Sequence, residues 1–116
     1  MLNQTVLVGR LVEKPTITKE EGKEITYITL AVPRSYKNAD GVYDTDFIDA
    51  VLYNQVATNT CEYCNKGDLV GIKGRLQTDN ITNEDGSTRK ITRLIAEKLT
   101  FLTSNANKVQ EEIDNK

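Results

Sequence analysis

The 116-residue chain contains no histidine and no tryptophan, and it has only two cysteines and two prolines. Histidine is the commonest general base and metal ligand in proteins, so its absence removes the usual centre of hydrolases and zinc enzymes. The few serines have no evident base partner along the sequence; they are Ser35, Ser87 and Ser104. We therefore expect a protein that binds rather than catalyses, without a metal or cofactor.

Long apolar runs are also lacking. No stretch approaches the roughly 18 residues that a membrane-spanning helix needs, and the N-terminal MLNQTVLVGR has neither a charged n-region nor a cleavage site. The length and the net charge of -2 fit one compact domain. We expect a soluble, cytoplasmic protein with no membrane partner.

The two cysteines form a single CxxC, Cys61-Glu62-Tyr63-Cys64. A zinc site would need further ligands from another subunit. Redox pairs of the thioredoxin type normally open a helix, where the dipole lowers the thiol pKa, whereas these cysteines fall near the end of a predicted short helix. We interpret them as small apolar side chains, and a thiol oxidoreductase is the remotest alternative.

Three aspartates of the predicted third strand raise the alternative of a cation site. Asp49 has the opposite parity to Asp44 and Asp46, so the three carboxylates cannot share one face of a strand. We interpret them as the polar positions of an exposed strand.

Alternation of apolar and polar residues predicts five strands and one helix. A polar loop, 16–23, separates the first two strands, and Gly67 is expected to end the helix. The predicted strands are 3–15, 24–33, 43–53, 70–77 and 90–102, with the helix at 54–65 between the third and fourth. This order is that of an all-β, five-stranded oligonucleotide-binding barrel with Greek-key connections.

The stretch 66–92 is the central element of the prediction. Val70, Ile72, Gly74 and Leu76 form one face of its first strand and predict a core, whereas the opposite face includes Lys73 and Arg75. The segment 83–87 is a turn signal, so the stretch predicts a hairpin with cationic arms on an acidic chain. Concentrated positive charge of this kind favours an anionic partner, with nucleic acid as the leading hypothesis.

Aromatic rings interleave with these cations, as a surface for single-stranded nucleic acid requires. Tyr36 lies beside Arg34, while Phe47 and Tyr53 share the outward parity of the third strand. Each ring could instead be a core or rim residue. The same alternative holds for the cations Lys73, Arg75, Arg89, Lys90 and Arg93, which could be ordinary solvated strand and hairpin charges.

Several blocks of the sequence resemble the bacterial and phage single-stranded DNA-binding protein family. They are MLNQTVLVGRL, ITLAVPRSYKNADG, DFIDAVLYNQVATNT and KGDLVGIKGRLQT, and the similarity runs from Met1 to about Thr103. The resemblance implies an oligonucleotide-binding fold, usually assembled as a homotetramer, that coats single-stranded DNA without catalysis or strong sequence preference in replication, recombination, repair or DNA uptake. It also implies a nucleoid-associated location.

The resemblance assigns base stacking to Tyr36, Phe47 and Tyr53. A further family aromatic, usually tryptophan or tyrosine, falls on Ile81, which has no π face and would give an apolar contact at best. The resemblance also implies phosphate contacts from cations, whose positions vary within such surfaces; they fall on Arg10, Arg34, Lys66, Lys73, Arg75, Arg89 and Lys90.

The C-terminus departs from the family pattern. Typical members end in a long linker and an acidic tip with an Ile-Pro-Phe-like group that recruits replication and repair enzymes, whereas this sequence ends in EEIDNK. We expect a barrel domain at 1–103 and a disordered polar tail at 104–116, and enzyme recruitment is doubtful. The sequence does not decide whether an oligomer would use residues 3–8 or the hairpin.

A protein-interaction module is the main rival from another functional class. Such a protein, of the kind found in replication-restart complexes, would keep the barrel and lose strong DNA binding. The absence of tryptophan, the net negative charge and Ile81 all favour it.

Overall fold

We analysed a computed structural model that describes residues 1–104; residues 105–116 lie outside the described part. Nearly all of the predicted tail therefore falls outside the structure. The elements are β1 Thr5–Leu11, β2 Thr18–Glu20, β3 Lys23–Lys37, β4 Tyr43–Tyr53, α1 Asn54–Tyr63, β5 Leu69–Thr82 and β6 Thr88–Thr103.

Five strands close into a barrel, which confirms the predicted oligonucleotide-binding fold. The strand order is β1-β5-β6-β4-β3-β2. β1 also pairs with β3, which closes the five longer strands into the barrel and leaves the short β2 at the edge of β3. All neighbours are antiparallel except β4 and β6, which are parallel and meet only at Val51 and Ile95. α1 connects β4 to β5, as the sequence predicts.

One face of each barrel strand supplies the core, because alternate side chains of a strand point to opposite faces. Leu30, Leu52 and Val70 are completely buried. α1 closes one end of the barrel by burying Ala57 and Thr60. The main cluster contains Leu11, Ile28, Leu30, Ala50, Leu52, Ala57, Cys64, Val70, Ile72, Leu94 and Ala96.

The predicted loop 16–23 contains a strand that the sequence analysis missed. β2 pairs with the start of β3, and Glu21 and Gly22 form the two-residue connection with φ of 50° and 78°. Two positive φ values suit the tight turn of a hairpin. β2 has no apolar alternation because all three of its residues are exposed, so periodicity could not reveal it.

Leu76 leaves the predicted core face. It is 48% exposed, whereas Val70 and Ile72 on the same face are buried. The reason is length: β5 and β6 pair as far as Thr82 and Thr88, so their hairpin extends past the end of the barrel. The Asn3 side chain binds the backbone of Leu76 at this point. It donates to the Leu76 carbonyl at 2.7 Å and accepts from the Leu76 amide at 2.9 Å.

The helix ends earlier than predicted, and Gly67 does not end it. Cys64 follows α1 in an extended conformation with its amide bonded to the Thr60 carbonyl at 2.9 Å, and Gly67 lies in the next turn with φ of 87°.

The two cysteines are held in the packed interior and its border. Burial raises the pKa of the Cys64 thiol, while Cys61 Sγ lies 3.1 Å from Thr26 Oγ1. A buried, protonated thiol suits packing rather than redox chemistry.

Over residues 1–104, no cluster of three or more potential metal ligands occurs. In the same range, no helix is both long enough and apolar enough to span a membrane.

Candidate nucleic-acid interface

Aromatic rings project from the outer face of β4, the face opposite the core. Phe47 and Tyr53 share this face, as their parity predicts, and lie about 20 Å apart along the strand at roughly 3.3 Å per residue. Phe47 is 67% exposed and lies beside Ala31 of β3. It therefore presents an open ring to solvent.

Tyr53 has a different environment from Phe47. It is half-buried and packs against a small outer cluster of Ile25, Val51 and Ile95. Only part of its ring is available to a ligand, so its position combines packing with any stacking function.

Tyr36 lies on an irregular part of β3. The register between β3 and β4 shifts between Pro33 and Lys37, so extra residues bulge from this end of the sheet. Tyr36 is 63% exposed there. Bulges re-aim side chains at strand ends, and this one separates Tyr36 from the regular row that contains Phe47.

Two further rings on this face were not selected from the sequence. Tyr43 has the parity of Phe47, and Lys37 Nζ lies 5.6 Å from its ring centroid, which is cation–π geometry. Tyr27, 55% exposed, pairs in register with Val51. The parity argument that selected Phe47 applies equally to both rings and could have found them.

Arg34 is occupied by carboxylates. Its Nε and Nη2 donate to Asp46 Oδ2 and Oδ1 at 3.1 and 3.0 Å, and its Nη1 lies 3.7 Å from Asp44 Oδ2. The hydrogen bond from Arg34 lowers the pKa of Asp46 below its usual value. A phosphate would have to replace or share these partners, so Arg34 adds less positive charge to the surface than its sequence position suggests.

The remaining predicted cations divide by location. Arg10 pairs in register with Ala31, the neighbour of Phe47, and its Nη1 donates to the Gly67 carbonyl at 2.9 Å. Lys66 is exposed in the connection between α1 and β5. Arg10 thus borders the aromatic face, whereas Lys66 lies on a separate loop.

Arg75 and Lys73 lie on opposite sides of an irregularity in β5. Arg75 pairs with Ile95, which pairs in turn with Val51, so it shares a row with the aromatic face. Its Nη1 donates to Gln77 Oε1 at 2.8 Å. Lys73 lies beyond the register shift, paired with Lys98. Both residues are on β5, but only Arg75 lies in a row that reaches the outer face of β4 through Ile95.

The hairpin arm contains the last three predicted residues. Ile81 pairs with Arg89 and is half-buried, while Lys90 pairs with Asn80 on the opposite face of the ribbon. Ile81 and Arg89 thus continue the outer face of the barrel, and Lys90 does not.

Comparison with known proteins relates the chain to one protein family. Residues 2–102 match the family described as "Single-strand binding protein family". The "Single-stranded DNA-binding protein B" of Bacillus subtilis (strain 168) is 41% identical over 103 residues, covering 88% of this chain and 91% of the relative.

Two relatives from Staphylococcus aureus (strain Mu50 / ATCC 700699) are also named single-stranded DNA-binding proteins. "Single-stranded DNA-binding protein 1" is 40% identical over 97% of this chain and 74% of the relative. "Single-stranded DNA-binding protein 2" is 43% identical over 88% of this chain and 73% of the relative. The chain belongs to the single-strand binding protein family.

Proposed function

We propose that the protein binds single-stranded DNA along the outer face of β3 and β4, with little sequence preference and without catalysis. The observation that carries the proposal is the alignment of exposed rings on one strand face, led by Phe47, in a chain whose relatives are named single-stranded DNA-binding proteins. Bases of a single strand stack on such rings whatever their identity. The protein would coat and protect DNA strands exposed in replication, recombination, repair or DNA uptake, in the cytoplasm with the nucleoid.

The cations bordering the rings would contact phosphates. Arg10 and Arg75 are best placed for this, because both share rows with the outer face of β3 and β4. Arg89 would extend the path onto the hairpin, with Ile81 beside it offering an apolar contact instead of a stacking ring.

Replacement of Tyr36, Phe47 and Tyr53 by alanine tests the proposal. Lost DNA binding with an intact fold supports it, whereas unchanged binding contradicts the assignment of base stacking to these rings.

We further propose that four copies of the chain assemble into a homotetramer. Within the described residues, β1 pairs with β3 only through Arg10 and Leu11, so the preceding stretch of β1 keeps one backbone edge open. Val6 and Val8 are exposed on the same strand. An open edge with apolar side chains suits pairing with a second copy about a two-fold axis.

The solution mass tests the assembly. Light scattering after size exclusion should give about 52 kDa, four times the chain mass of 13.0 kDa. Val8→Lys should lower the mass, whereas Val42→Lys, in an exposed position between β3 and β4, should leave it unchanged. A 13.0 kDa wild-type protein at concentrations that saturate DNA would contradict the tetramer.

A further inference from the structure

A groove opens on the outer face where β4 and β6 separate. The two strands meet only at Val51 and Ile95, so their facing edges diverge toward the start of each strand. The resulting space has a volume of about 270 Å³. Its main lining residues are Tyr27, Asp49, Val51, Thr92, Arg93 and Leu94.

Opposite charges face each other across this β4–β6 groove. Asp49 and Arg93 each precede the paired residues Val51 and Ile95 by two positions, so they occupy the same row. Among the described residues they form no ion pair with each other. Asp49 Oδ1 accepts from Thr29 Oγ1 at 2.6 Å, and within residues 1–104 its Oδ2 has no hydrogen-bond partner.

Arg93 is in an ion pair on the side away from Asp49. Its buried Nε lies 3.3 Å from Asp79 Oδ2, without hydrogen-bond geometry. In the described part of the chain, its terminal Nη groups have no protein acceptor. The β4–β6 groove thus offers a carboxylate acceptor on one wall and guanidinium donors on the other, with the Tyr27 ring beside them.

A nucleobase fits this arrangement better than a phosphate. Asp49 lies on β4 between Phe47 and Tyr53, directly on the path proposed for the DNA strand, and its charge repels phosphates. A carboxylate in this position can only accept hydrogen bonds, so it selects a group that donates them. Unstacked bases present such donors on their Watson–Crick edges.

We propose that the β4–β6 groove is a guanine-preferring base site within the single-stranded DNA path, an inference that rests on the proposed function. Guanine is the base with two adjacent Watson–Crick donors, N1–H and the N2 amino group, which match one carboxylate. Its O6 and N7 are acceptors that suit arginine. Asp49 receives the two donors, one on Oδ2 and one on Oδ1 beside the Thr29 hydroxyl, since each carboxylate oxygen can accept more than one hydrogen bond. Arg93 donates to the acceptors, and Tyr27 contacts the ring.

The test compares labelled oligo(dT) with the same strand carrying isolated dG residues, by anisotropy with the full chain. Spacing the guanines singly in thymine avoids self-association. Each strand has counterparts with dA, dC or deoxyinosine at the same positions. We expect dG to tighten binding about fivefold, the lower end for a bidentate base contact. Deoxyinosine lacks the N2 amino group and should lose most of the gain.

Asp49→Asn locates the site on the protein. Asparagine replaces one acceptor by a donor, so the ratio of dG to dT affinity should fall to about one. Asp40→Asn is the matched control, because it removes the same charge from an exposed position outside the groove and should keep the ratio. Both variants also reduce the repulsion of phosphates, which raises the background affinity for all strands alike, so the ratio of dG to dT affinity is the readout.

The outcomes separate the two levels of the proposal. Equal affinity for all the strands, or a preference for dC or dA, overturns the guanine site and leaves DNA binding intact. A dG preference that survives Asp49→Asn also overturns it. Failure to bind any of the single strands refutes the proposed function itself.

Discussion

Replacing Tyr36, Phe47 and Tyr53 together by alanine is expected to weaken oligo(dT) binding by at least about a hundredfold. Each base stacked on a ring contributes roughly 1 to 3 kcal/mol, so three rings exceed any single exposed ion pair. Phe47→Ala should have the largest single effect without loss of stability, because its side chain is 67% exposed. Fluorescence anisotropy at fixed salt measures the change.

Two controls make the ring test specific. Tyr63→Ala removes a ring that is 66% exposed on α1, where it lines a groove with Lys98 and Phe101 of β6, and the variant should bind DNA normally. Tyr53 packs on the outer cluster, so circular dichroism must show that the triple variant is still folded. Unchanged affinity in a folded triple variant would contradict the stacking assignment.

Gly74→Ala is expected to destabilise the barrel by about 2 kcal/mol or more. A Cβ at this position would overlap the carbonyl oxygen of Ile95 and lie 3.2 Å from the Ala96 Cα. These are backbone atoms of β6 at the register shift beside Lys73 and Gly74, so no side chain can move aside. The midpoint of urea unfolding, at matched protein concentration, measures the loss.

Gly71→Ala is the control on the same strand. Its added Cβ would meet nothing closer than 3.8 Å, an ordinary contact with the Leu102 side chain. It should be neutral or slightly stabilising, since alanine restricts the unfolded chain. If both variants unfolded at the same urea concentration, the close approach of β5 and β6 at Gly74 would be refuted.

Strand alternation predicted much of the fold because most strands bury one face. β4 was predicted with its observed bounds, and the outward parity of Phe47 and Tyr53 followed from its inward residues. The same pattern placed α1 between β4 and β5. Where burial sets the periodicity, the strands and the faces of their side chains can be predicted from the sequence.

The features that the sequence missed depend on other forces. β2 is fully exposed, so nothing in its pattern marks it as a strand. Leu76 is apolar yet exposed, because the hairpin continues beyond the barrel. The pairing of Arg34 with Asp46 depends on register between two strands, and parity alone cannot supply it. The facing of Asp49 and Arg93 likewise requires the parallel contact of β4 with β6.

The most direct measurement for the central claim is equilibrium binding of labelled oligo(dT) at several salt concentrations, beside duplex DNA of equal length. Phosphate contacts should make log affinity fall with log salt by about 0.7 per contact, while stacking leaves binding that persists at high salt. We expect strong single-strand binding that survives salt, with little binding to duplex. Weak binding that disappears at moderate salt and is equal for duplex would contradict it.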